Sequence, residues 1–160
     1  IATVGIEYEP PSGNLETGGI RLQGAGDGFV DVFLTGAKAF GKWGLQGSLG
    51  LNQAIDTDIN SSLFHYSAHI DYEYSPGFYP LLEVNGFTTA DDGNRLPLGF
   101  EGGDLVNFGS TDAGTVVTLT AGARYRLNKN MILGIGYEVP VTEREDLLED
   151  RFYVDFIYHI

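Results

Sequence analysis

LFHYSAHIDYEY, residues 63–74, places His65, Ser67, His69, Asp71 and Glu73 at alternate positions and Tyr66, Ala68, Ile70 and Tyr72 between them. Successive side chains of a β-strand point to opposite faces, so this segment reads as a strand with one ionisable face and one uncharged face. The same division extends outward along the chain. Glu7 and Glu9, then Asp31, Glu83, Glu138 and Asp155, fall on the ionisable side of their segments. The other side reads Val4, Ile6, Tyr8 in the first segment, Trp43, Leu45, Leu49, Leu51 further on, Leu133, Ile135, Tyr137 near the end and Phe152, Val154, Phe156, Tyr158 in the last. An uncharged outer band around a polar interior is the signature of a β-barrel standing in lipid.

Eight segments carry the alternation: 1–9, 29–40, 43–54, 63–74, 79–87, 115–127, 131–139 and 151–160. Between them short connections (Gly41-Lys42, Ser75 to Phe78, Asn128 to Asn130) take turns with long ones at 10–28, 55–62, 88–114 and 140–150. Each short connection has residues suited to a tight turn: Gly41, the Pro76-Gly77 pair of a type II turn, and two Asn that tolerate left-handed backbone. Short turns on one rim and long loops on the other predict an all-β, antiparallel up-and-down transmembrane barrel of about eight strands, the turns facing the periplasm. Phe40, Trp43, Tyr72, Tyr79, Tyr125 and Tyr158 gather beside those turns and are expected to form an interfacial girdle.

Composition narrows the class. A chain of 160 residues holds one domain, 1–160, and 23 Gly with 12% aromatic residues suit strands and turns better than helices. Without Cys there is no disulfide framework and no thiolate metal site. A net charge of −13, with nine Lys and Arg in all, excludes a phosphate-tracking nucleic-acid surface. No run of roughly 18 to 20 apolar residues exists to form a membrane-spanning helix. The sequence starts at Ile1 within a strand pattern, without Met or signal peptide, so a processed chain or a fragment with strands upstream is expected.

On the polar face, His65, His69, Asp71, Glu83, Arg124, Arg126, Glu138 and Asp155 form a candidate charge network. Buried charges persist only when paired, so Arg124 and Arg126 are expected among Glu83, Glu138 and Asp155. In a closed eight-stranded barrel this network plugs the interior, whereas in a wider one the carboxylate excess lines a cation-favouring passage. His65 and His69 share a face with carboxylates but match no ligand motif, and no metal or other cofactor is assigned. Asp56 to Asn60 opens like a calcium loop yet lacks the following Gly and distal Glu, and reads as an acidic turn. No nucleophile elbow, zinc-protease helix or phosphate loop is present, and Gly24 to Gly28 is not set between a strand and a helix, so no enzyme is expected.

The segments IEYEPPSGN, GAGDGFVDVFLTGAKAFGKWGLQGSLG, FYPLLEVNGF, DLVNFGST, GARYRLNKNMILGIGYEVPVTEREDL and FYVDFIYHI together resemble a family of bacterial outer-membrane β-barrels associated with transport in the meta-cleavage pathway of phenol degradation. The resemblance implies an outer-membrane location, a longer native barrel, and lipid and a small, hydrophobic or aromatic solute as partners. The residues themselves leave two other readings open: a soluble periplasmic ligand-binding barrel with its faces inverted, and a barrel subunit of a larger envelope assembly whose partners are other envelope proteins.

Overall fold

The computed structural model describes residues 1–13, 16–17, 20–21, 27–93, 113–145 and 149–159. Residues 24–26 of the glycine-rich stretch, the centre of the 88–114 connection, Asp146 and Ile160 lie outside them.

Among the described residues every element is a strand: β1 (Ala2–Glu9), β2 (Glu16–Thr17), β3 (Ile20–Arg21), β4 (Phe29–Phe40), β5 (Trp43–Ala54), β6 (Ser62–Tyr72), β7 (Phe78–Asp91), β8 (Thr115–Arg126), β9 (Met131–Pro140) and β10 (Arg151–Tyr158). β2 and β3 pair only with each other, inside the 10–28 connection. The remaining eight form one antiparallel up-and-down sheet in the order β1-β4-β5-β6-β7-β8-β9-β10. β7 runs on to Asp91, past the expected end at Phe87, because Thr88 and Thr89 continue the ladder. The Thr88 hydroxyl lies 3.1 Å from that of Thr115 on β8, whose Cα it faces.

The turns follow local chemistry. Gly77, at φ +83°, takes the third place of a type II turn closed by Phe78 N–H donating to the Ser75 carbonyl at 2.9 Å. Gly41 turns the β4–β5 connection at φ +61°. In the β8–β9 turn the Asn128 side-chain oxygen accepts from Asn130 N–H at 2.9 Å.

Cross-strand partners share a face, and the registers keep the two sets of side chains apart. Ile6 faces Val32, Val32 faces Leu51, Leu51 faces Phe64; on the other side Glu7 faces Asp31, His69 faces Glu83 and Arg151 faces Glu138. The uncharged set is open to the surroundings. Leu45, Leu49, Leu82, Ile135 and Phe156 are all exposed, and among the described residues the buried hydrophobic side chains are only Ala54, Leu81 and Val116. No dry apolar centre exists there, so the arrangement of a soluble barrel is not what this sheet adopts. Among the described strand residues the cation on the outer face is Lys38; it faces Leu45, and its ammonium lies over the Phe40 ring at 4.6 Å, toward the short-turn end.

The sheet curls toward its ionisable face, because contacts between strands two apart occur on that side: His65 on β6 reaches Asp31 on β4, and Arg124 on β8 reaches Asp155 on β10. Among the described residues no ladder joins β1 to β10, and these two are the outer edges. The consequence is visible in exposure: Val4 and Ile6 of β1 stand at 76% and 75%, against 40% for Leu45 in the middle of the sheet.

Candidate functional site

The concave face is organised by glycines that make room for charged neighbours. A Cβ on Gly50 would lie 2.4 Å from His65 Nε2, and one on Gly44 the same distance from Asp71 Oδ2. His65 and Asp71 on β6 therefore lean over β5. His65 Nε2 meets both Asp31 oxygens, at 3.0 and 3.2 Å. On the far side Gly134 of β9 leaves the gap through which Arg124 Nε and Asp155 Oδ2 approach to 3.7 Å, an ion-pair separation without a hydrogen bond.

His69 is held between two carboxylates. Its Nδ1 lies 3.0 Å from Glu83 Oε2, and its Nε2 lies 3.3 Å from Asp71 Oδ2, near enough for an ion pair but outside hydrogen-bond geometry. The side chain is 9% exposed. Asn85 donates to the other oxygen of Glu83 at 2.9 Å. His65 and His69 are four residues apart on one strand, about 13 Å along it, and each turns to its own carboxylate. They do not share an ion, and among the described residues no group of three His, Cys, Asp or Glu is placed to hold one.

Glu138 is buried on β9 and accepts from Thr118 Oγ1 at 2.5 Å and from Arg151 Nε at 2.8 Å. Its partner is thus Arg151, which the sequence reading passed over although Arg151, Tyr153 and Asp155 share one parity. Arg126 departs from expectation as well. It lies over the Tyr79 ring at 5.5 Å rather than among Glu83, Glu138 and Asp155, because its level on β8 is that of Ile132 on β9, at the short-turn end.

Of the six girdle residues, Phe40, Trp43, Tyr72, Tyr125 and Tyr158 lie on the outer face near the short turns, with the Trp43 and Tyr72 rings in tilted contact, 4.6 Å between centroids and 47° between planes. Tyr79 does not. Its Cα partner is Arg124, and its hydroxyl donates to Glu73 at 3.2 Å on the concave side, while Phe78 takes the outward place. The parity of Tyr79 with Glu83 was the signal for this.

Two cavities that share part of their lining lie along the concave face among the described residues. One of about 590 Å³ occupies the long-loop half, with His65, Phe87, Val116, Glu138 and Arg151 in its lining. The other, about 300 Å³, occupies the short-turn half against Thr35, Gln46, His69 and Arg124. They share Ser48, Ser67 and Glu83. The two hydroxyls are 2.7 Å apart, so Glu83 is the one charged side chain common to both chambers. Among the described residues no ion pair crosses the hollow from wall to wall: His69–Asp71 lies within β6, and the others join adjacent strands or strands two apart.

The Asp56 to Asn60 segment forms an ordinary acidic turn, with Asp56 Oδ1 accepting from Asp58 N–H at 3.2 Å and the Asp56 carbonyl from Asn60 N–H at 2.9 Å.

No family model matches the chain, and no curated protein does. Among solved structures the fold is similar to that of the outer membrane protein Ail of Yersinia pestis in a phospholipid bilayer nanodisc, at 12% identity over 99% of this chain and 98% of that one, with a TM-score of 0.42.

Proposed function

We propose that this chain is a wall of a bacterial outer-membrane β-barrel that passes small solutes passively along its concave face, with cations favoured and without catalysis or a cofactor. The reading is carried by one observation: among the described strand residues the face turned outward is uncharged but for Lys38 and carries exposed large apolar side chains on every strand from β1 to β10 of the eight-stranded sheet, while the other ionised groups and the two connected cavities lie on the opposite side. In water that arrangement would leave a broad apolar surface unburied; in lipid the same surface meets hydrocarbon. Strands β4 to β9 run 10 to 14 residues, enough to span at the usual tilt.

Passage is favoured over a plugged interior by the way charge is neutralised. Pairs that run along the wall leave the middle clear, and the stacked chambers meet at Glu83, where a single carboxylate sets the local field. The protein should aggregate without detergent, show heat-modifiable migration in it, and conduct K⁺ in preference to Cl⁻ in planar bilayers. Glu83→Gln is expected to lower the K⁺/Cl⁻ permeability ratio by about threefold or more while conductance persists. A monodisperse protein in detergent-free buffer would overturn the membrane reading. Insertion without conductance would overturn the passage alone.

A further inference from the structure

Resting on that reading, we infer that the larger chamber is a binding subsite for an organic ammonium ion with an apolar body, held ammonium-first toward Glu83. Its volume, about 590 Å³, lies in the range of small-molecule sites. Its lining has two chemically distinct ends. Toward the long loops, Phe87 faces Val116 on β8, and Leu63 on β6 sits diagonally across from it, so three apolar side chains make one continuous strip on a face otherwise given to polar groups. Phe87 keeps 47% of its surface exposed there. A face built solely to carry water and inorganic ions gains nothing from such a ring, whereas an apolar solute does.

At the other end stand Asn85 and Glu83. Phe87 and Glu83 are on the same face of β7, about 13 Å apart along the strand, so an extended solute can reach both. The charge of the lining selects its sign: Glu83, Glu138 and Glu145 against Arg151, with His65 already turned to Asp31. Glu138 is committed to Arg151 and Thr118 in the long-loop half, whereas Glu83, oriented by His69 and Asn85, is the carboxylate that both chambers share at the waist of the hollow. A cation passing Phe87 also meets an aromatic face that attracts positive charge. An anionic or purely apolar solute would satisfy only one of the two ends.

The test is calorimetric titration of the intact protein in lipid nanodiscs, corrected by empty nanodiscs, with 3-phenylpropylammonium, methylammonium and 3-phenylpropanol as probes. Phenylpropylammonium should bind at least about tenfold more tightly than either other probe, and Phe87→Ser and Glu83→Gln should each weaken it by about fivefold or more. Heat-modifiability of both variants serves as the check on folding, and Phe87→Leu provides a conservative second variant that retains apolar contact while losing the ring. Equal affinity for the three probes, or indifference to both Phe87→Ser and Glu83→Gln in folded protein, would overturn the subsite. Because binding is read without current, the outcomes separate: selective binding without K⁺ conductance removes the passage and keeps the subsite, and conductance without selective binding does the reverse.

Discussion

Gly134 shows how much of the concave face is decided by the absence of a side chain. A Cβ there would lie 2.1 Å from Asp155 Oδ2, and the carboxylate's approach to Arg124 depends on that gap. Gly134→Val should destabilise the folded protein by about 1–3 kcal/mol, the usual cost of overfilling a packed site, seen as a lowered urea midpoint in micelles. Gly36→Val, where the nearest atom to a Cβ is the Ile1 carbonyl at 3.8 Å on the outer face, should change the midpoint by no more than about 0.5 kcal/mol. At this scale the sequence was partly legible. The parity of Glu83 and Asp155 placed both on the concave side, and the same parity would have placed Tyr79 and Arg151 there. What parity cannot supply is the partner, since Arg126 and Arg124 differ only in their level along β8, yet one meets a tyrosine ring and the other a carboxylate.

Within a single strand the two faces make opposite demands, and β5 offers a direct comparison. Leu49 points outward and Gln46 lines the smaller chamber. Leu49→Arg should cost about 2–4 kcal/mol when folding is measured into lipid vesicles, the range for a cation on the lipid face near mid-depth. Gln46→Arg should stay within about 0.5–1 kcal/mol, because its side chain meets water and opposite charge. If both substitutions proved equally mild, the outward face would not be in hydrocarbon. Strand limits were read closely from local alternation and turn residues, since both depend on neighbours in the chain. The β2–β3 pair and the extension of β7 were not, because each is set by a partner elsewhere: Glu16 by Arg21, and Thr88 by Phe64 and Thr115.

For the whole molecule the informative feature is the pair of edges. β1 and β10 each have a ladder on one side only among the described residues, whereas β5, β6 and β7 are paired on both. The unpaired edge of a strand leaves alternate amides without a strand partner, so they open to exchange more readily than amides held on both sides. Amide hydrogen exchange of the protein in micelles should therefore be fastest in β1 and β10 and slowest in β5 to β7, with protection rising inward from both edges. Uniform protection across all eight strands would mean that the edges are closed in solution by pairing absent from this sheet.

The side-chain period of two is a property of each strand alone, so the sequence by itself determined which residues share a face, the order of the strands and the all-β class. Only the tertiary structure decided the curvature, the meeting of His65 with Asp31 and of Arg151 with Glu138, and the two chambers joined at Glu83. Those depend on the stagger between strands and on glycine gaps in the strand lying between two partners, and neither quantity is encoded within the reach of one segment.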